Sequence, residues 1–287
     1  MMSGGIISAV FASLCWATAP ALISTSFRET RSVRKVITIR TISATIFLGV
    51  VVLLAGGTFN VSLYDYLLIM LAAIIGPGLG DYLYFYTIRS IGSSKATPIA
   101  YTYIIVAQLL AKLFLGEHVD LWLAVGGFVS VAGIYIGLWS DSSNSENLSL
   151  SLILVLASIP FLWATSSIIL GYLEGYLNLI LVAFIRTMFL SIVFSAIVTF
   201  EGSLFEGVSS KLLLNAGLAG FIGIGMGTLF FLKAIQVIGV AETVIVSAIT
   251  PLVNQVLSKT IAYEKITVKT LASSILVFAS IFIAVFF

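Results

Sequence analysis

Along most of this chain apolar residues follow one another without any polar period. Stretches such as IFLGVVVLLAG (46–56) and ILVFASIFIAVFF (275–287) are continuous, whereas a strand of an outer-membrane barrel alternates apolar with polar residues. A helix needs about 20 largely apolar residues to cross the hydrocarbon core. The polar interruptions leave ten runs of that kind, near 5–26, 36–56, 66–89, 96–115, 120–140, 149–171, 178–200, 211–234, 242–262 and 266–287. The pattern predicts an all-α integral membrane protein with ten transmembrane helices.

Composition supports that reading and removes several others. Hydrophobic residues make up 60% of the 287 and charged residues 9%, with a mean hydropathy of +1.17; a soluble domain carries about 25% charged residues. The first run follows MMSGG, which has no basic residue, and no soluble segment comes after it, so a retained helix is expected rather than a cleaved signal. Cys15 and His118 are the only residues of their kinds, which excludes an internal disulfide and a Cys/His metal cluster. Cys15 reads as a small packing residue, and His118, between Glu117 and Asp120, as a solvated one. No cofactor motif is present. The net charge of +2 is concentrated in the first connection, RETRSVRK (28–35), which points to the lipid bilayer as a partner and not to nucleic acid.

The chain repeats itself. Trp16-Ala17-Thr18 recurs as Trp163-Ala164-Thr165, 147 residues on, and the same offset carries Gly76, Gly78 and Gly80 onto Gly223, Gly225 and Gly227. It also relates Gln108 to Gln255, Lys112 to Lys259 and Glu117 to Glu264, while TIRT (38–41) and FIRT (184–187) match at 146. The polar stretch around SDSSNSEN (140–147) is the seam. The expected organisation is a first five-helix repeat at 1–140, a linker at 141–148 and a second repeat at 149–287. Five is odd, so the second copy enters the membrane inverted. Inverted repeats are the architecture of transporters that rock about a central site.

At this point a family resemblance becomes specific. A Trp followed by small or polar residues in the first helix of each half, Arg40 and Arg186 early in the second, and FLGEHVDLWLAVGGFVSVAGIYIG (114–137) resemble the drug/metabolite transporter superfamily, in its ten-helix EamA branch. The resemblance spans nearly the whole chain. It implies a multi-pass plasma-membrane carrier of small metabolites, such as amino acids or related organic compounds, with export as the expected direction. Without a P-loop, transport would be secondary or facilitative, with protons as candidate co-substrates. Both a monomer and a homodimer are compatible with two repeats in one chain. The basic first connection places itself in the cytoplasm and the N-terminus outside; the resemblance implies the reverse.

Polar residues inside the spans are the candidate site, because a charge at mid-membrane costs roughly 2.5–3.5 kcal/mol and turns inward. Asp81 in the third span and Lys233 in the eighth are candidates for a charge pair that binds substrate or couples protons, unless they lie near helix ends and snorkel. Trp16 and Trp163, Tyr82 and Tyr86 at i, i+4, and Tyr101 are candidate cavity aromatics, with packing as the alternative. Gln108, Asn254 and Gln255 offer amides for substrate hydrogen bonds or for helix-to-helix contact. The two glycine series read as seams of close packing.

A reading from another class starts at GLGD (78–81), which matches the motif of intramembrane aspartyl proteases, with Tyr64-Asp65 one element earlier. Such an enzyme needs Asp81 to share a proton with a second carboxylate. Pro20-Ala21-Leu22 precedes both aspartates instead of following them, and Thr228 replaces the aspartate in the second copy, so the motif reads as packing. A non-transporting scaffold would leave intramembrane Asp81 and Lys233 without a role.

Overall fold

The computed structural model describes residues 2–56, 61–116, 150–174, 177–202 and 206–286, with isolated helical residues between 122 and 136. Among the described residues every regular element is helical. The fifth expected span (120–140) and the linker (141–148) lie largely outside them, as do Glu117, His118 and Asp120.

The helices are α1 (Met2–Ser26), α2 (Val33–Ala55), α3 (Leu63–Ala73), α4 (Asp81–Ile91), α5 (Ser93–Ala100) and α6 (Tyr103–Leu115), followed by α7 (Leu150–Glu174), α8 (Leu179–Phe200), α9 (Ser210–Ala219), α10 (Thr228–Val246), α11 (Thr250–Thr260) and α12 (Val268–Phe286). Seven helical stretches are long and apolar enough to cross a membrane. One of these, Ser210–Thr260, carries the expected eighth and ninth spans together. Their boundary is Gly239, whose φ of 82° and ψ of 174° interrupt the helix; Gly92 breaks the first half at the equivalent place with φ 82° and ψ 159°. Only glycine adopts such angles freely.

Side-chain caps set the helix starts, and they too repeat. Ser32 Oγ accepts from Lys35 N at 3.2 Å and, at an offset of 146, Asn178 Oδ1 accepts from Ile180 N at 3.0 Å. Ser62 and Ser209 cap α3 and α9 in the same way, each at 3.1 Å. Such a cap satisfies an otherwise orphaned N–H and contributes about 1 kcal/mol.

The glycine series do more than pack. Ile74–Gly80 and Gly220–Gly227 wind as π-helical segments in the middle of the third and eighth spans. Pro77 lacks an N–H and the glycines lack Cβ atoms, so neither resists the wider turn.

The halves exchange partners. α1 lies along α10 and the second π segment, α7 lies along α6 and the first π segment, and α2 lies along α8. The first helix of each half therefore packs on the third span of the other. Outside, large apolar side chains face away from the bundle, with Leu54 84% and Phe200 91% exposed, while Arg40, Asp81, Asn254 and Gln255 are buried. A soluble protein shows the opposite arrangement.

Candidate functional site

A cavity of about 130 Å³ lies where the two halves interlock. Its walls come from α1, α2, the first π segment, α4 and the start of α6 in one half and from α7, α8, the second π segment and α10 in the other. Trp16, Trp163, Tyr101 and Asp81, all expected from the sequence, line it.

Each tryptophan is seated by a glycine of the opposite half. A Cβ on Gly80 would come within 2.7 Å of the Trp163 ring, and one on Gly227 within 2.8 Å of the Trp16 ring. The indole N–H groups then diverge. Trp16 Nε1 donates to the Gly223 carbonyl at 3.1 Å, inside the second π segment, whereas Trp163 Nε1 donates to Asp81 Oδ1 at 2.9 Å. The divergence follows from Asp81, whose place Thr228 takes in the second half.

Asp81 is also ion-paired. Arg40 Nη1 lies 2.6 Å from Asp81 Oδ2, both side chains are 9% exposed, and the Arg40 guanidinium sits 4.6 Å from the centre of the Phe85 ring. Asp81 thus ties α2 of its own half to α7 of the other. Burial removes both charges from water, and the pair with its extra indole donor offsets much of that penalty.

Arg186, the counterpart of Arg40, is placed differently. It is 7% exposed, donates from Nη2 to Ser166 Oγ at 3.2 Å, and makes no ion pair among the described residues. Its Nε has no hydrogen-bond partner among the described residues. Ser166 itself donates to the Ala72 carbonyl at 2.8 Å, and Gly76 leaves the room this cluster needs. Ala19 stands where the second half has Ser166, so the first half lacks the equivalent hydroxyl.

Around Trp163 three tyrosines present ring edges, with centroids at 4.9 Å for Tyr84, 5.7 Å for Tyr103 and 6.1 Å for Tyr101. Tyr84 Oη is held by Thr97 Oγ1 at 2.7 Å and Tyr103 Oη by Ser247 Oγ at 3.1 Å, which fixes the rings. Phe231 packs on Trp16 at 4.6 Å. The cavity is an aromatic box with one carboxylate and two guanidinium groups.

Several residues singled out in the sequence sit elsewhere. Lys233 does not pair with Asp81: it is exposed, and its Nζ reaches Gln236 Oε1 at 3.1 Å, because its long stem points away from the bundle. Tyr86 is 37% exposed with Arg89 over its ring at 5.0 Å, and Tyr82 packs beside an apolar core cluster. Gln108 is buried but is not among the cavity-lining residues. Asn254 and Gln255 join helices: Asn254 Nδ2 donates to Ala17 O at 3.0 Å, and Gln255 Nε2 to Ser94 O at 2.7 Å and Ser274 Oγ at 2.8 Å. The proteolytic dyad does not form. Asp65 accepts from Ser62 Oγ at the start of α3, 16 residues and several helical turns from Asp81. Among the described residues no group of His, Cys, Asp and Glu could hold a metal ion.

Sequence reasoning noted Arg40 and Arg186 only as landmarks. The rule applied to Asp81, that an intramembrane charge turns inward, applied to both arginines as well, flanked as they are by apolar residues and threonine.

At one end of the bundle the connections lock together. Glu264, between α11 and α12, accepts from Ser24 Oγ at 2.6 Å, Ser93 N at 2.9 Å, Ser93 Oγ at 2.8 Å and Ser94 N at 2.8 Å. Burial pushes its carboxyl up, but these donors outweigh burial and hold it below the usual carboxylate range. Arg28 donates to the Ala262 carbonyl and lies over the Tyr263 ring, Arg34 pairs with Glu201, and Ser209 Oγ donates to Glu29 Oε2 at 2.7 Å. Every one of these contacts joins the first half to the second.

Comparison with known proteins agrees with the fold and the duplication. The model of the EamA-like transporter family matches twice, over residues 3–139 and 150–286. The chain is 23% identical over 242 residues to an uncharacterized transporter of Archaeoglobus fulgidus, covering 84% of each. A solved crystal structure superposes with a TM-score of 0.73 at 15% identity, covering 99% of this chain and 97% of the other, which shows the shared fold. Both matched segments hold a tryptophan, an arginine and a π segment that meet in the cavity. The chain belongs to the EamA-like transporter family and is a multi-helix membrane transporter, not an enzyme.

Proposed function

We propose that the protein is a secondary or facilitative carrier of small organic metabolites, amino acids or related compounds, working by alternating access. The two repeats, 1–140 and 149–287 joined by 141–148, are taken as inverted five-helix units that rock about the cavity, exposing it to one side of the plasma membrane at a time. Export is the expected direction, and one chain already supplies both walls.

The observation that carries this reading is the network Arg40–Asp81–Trp163. It lies inside the cavity, and it crosses from one half to the other. Protonation of Asp81 would weaken the bond to Arg40 and to the Trp163 N–H together, freeing the halves to move. This gives a proton a physical way to drive the cycle. The apposed connections around Glu264 would form the closed end of the state described.

Counterflow in proteoliposomes tests the proposal. Asp81→Asn, purified as the monodisperse folded fraction and reconstituted below its lowered melting temperature, is expected to retain exchange of labelled for unlabelled substrate while losing accumulation driven by a pH gradient. Asp81→Asn accumulating substrate as the parent does would remove the aspartate from coupling.

A further inference from the structure

We infer that the cavity selects organic monoanions, an apolar or aromatic body carrying one carboxylate, with Arg186 as the residue that receives the carboxylate. The inference rests on the transporter reading, narrows its small organic metabolites to one class, and within that class ranks free amino acids below acids that lack an amine.

Charge sets the first constraint on the ligand. Among the described residues, Arg40, Asp81 and Arg186 are the only ionisable groups of ordinary charge that line the cavity. Asp81 is taken up by Arg40 and by the Trp163 N–H, one on each oxygen. The net charge left in a buried, mostly aromatic space is therefore +1, and it resides on Arg186. A buried charge without an ion pair is far from its preferred state; among the described residues Arg186 bonds only to the Ser166 hydroxyl, its Nε has no partner, and the nearby Asp81 carboxylate is already bonded to Arg40 and Trp163. A carboxylate completes this site. Its two oxygens match the guanidinium fork, and such pairs are shorter and stronger than neutral hydrogen bonds.

Charge balance and the aromatic wall constrain the rest of the molecule. A phosphate dianion would turn the cavity from +1 to −1, and a cation would raise it to +2; only a monoanion brings it to zero. A zwitterion leaves the net charge at +1 and brings an ammonium whose natural partner, Asp81, is already engaged. The remaining wall is Trp163 with Tyr84, Tyr101 and Tyr103 around it, facing Trp16 and Phe231. Ring edges and faces of that kind suit an apolar or aromatic body. Thus an acid without an amine, or one whose amine is blocked, fits better than the free amino acid.

Four ligands with one ring and different head groups test this at neutral pH: phenylacetate, phenylalanine, phenethylamine and phenyl phosphate. Binding to the purified protein is measured by thermal stabilisation and by calorimetry, and flux in proteoliposomes runs in parallel with a wider metabolite panel. Phenylacetate is expected to bind best. Arg186→Gln is expected to weaken it by about tenfold or more, the effect of losing a charged hydrogen bond, and to leave phenethylamine unchanged or tighter. Arg186→Lys, which keeps the charge but not the fork, is expected to retain the preference for phenylacetate at reduced affinity, and so guards against a folding defect in the first variant.

Phenylacetate failing to bind the parent, binding no better than phenylalanine or phenethylamine, or keeping its advantage in Arg186→Gln would each overturn the inference. If panel compounds of another class are carried, the transporter reading survives that failure. If nothing crosses the membrane, both fall.

Discussion

Removing either partner of the Arg40–Asp81 pair should destabilise the protein, but by unequal amounts. At the observed 2.6 Å and an effective dielectric constant of about 20, the attraction is about 6 kcal/mol, and desolvation of both groups opposes it. Loss of one partner of a buried pair is worth about 3–5 kcal/mol, because the survivor is left uncompensated. Arg40→Gln leaves Asp81 with the Trp163 N–H and with Arg186 in the same cavity, so about 3 kcal/mol is expected. Asp81→Asn leaves two guanidinium groups and no carboxylate, so the upper end, about 5 kcal/mol, is expected. The double variant restores the parental cavity charge and should lose well under the sum, about 2 kcal/mol. The assay is thermal unfolding in one detergent at fixed ionic strength, read by loss of the monodisperse peak. Arg40→Gln melting below Asp81→Asn, or a double variant as unstable as the two losses added, would refute this account of the cavity charge.

Other outcomes follow from neighbouring contacts. Trp163→Phe loses a hydrogen bond to a charged acceptor, about 1.5–3 kcal/mol, and Trp16→Phe one to a carbonyl, about 1 kcal/mol, so side-by-side melting should place Trp163→Phe lower. Gly220→Ala would drive a Cβ into the Arg40 backbone carbonyl, whereas Gly217→Ala meets only Ser43 Oγ at 4.0 Å; expression and size-exclusion profiles should show the first variant misfolded and the second like the parent. The Glu264 carboxyl is held below its ordinary range, so its contribution is complete above the unfolded value of about 4.3 and fades as pH falls through the lower folded value. Melting between neutral and acidic pH should therefore drop in the parent, and Glu264→Gln should be less stable at neutral pH with a shallower acid limb; parallel curves would count against the latch.

The all-helical membrane character and the duplication were legible because they depend on local features, apolar runs and an offset of 147 residues. Asp81 and the two tryptophans were legible as site residues by the cost of burying polar groups. Their partners were not, since a partner is fixed by packing between distant helices. Lys233 and Arg40 both lie within apolar stretches, and only the arrangement of α2 and α10 shows that one faces Asp81 and the other faces outward. The amides of Asn254 and Gln255 had two readings, and helix joining is where the structure puts them. Winding in the π segments left no periodic trace in sequence, because glycine fits either turn. Of the two asymmetries, Asp81 against Thr228 stood open in the sequence, whereas Ser166 against Ala19 gained meaning only from the structure, where the Ser166 hydroxyl accepts from the Arg186 guanidinium.

The central claim is that one cavity is reached from both sides of the membrane in turn. Cys15 is the only native cysteine, so a Cys15→Ala background makes a single reporter straightforward, and Ser167, which lines the cavity, is the position to replace by cysteine. A membrane-impermeant thiol reagent would be applied to right-side-out and to inside-out vesicles, with and without a transported substrate. Alternating access predicts labelling from either side, slowed by substrate in both. Labelling from one side alone under every condition, or from neither, would contradict it.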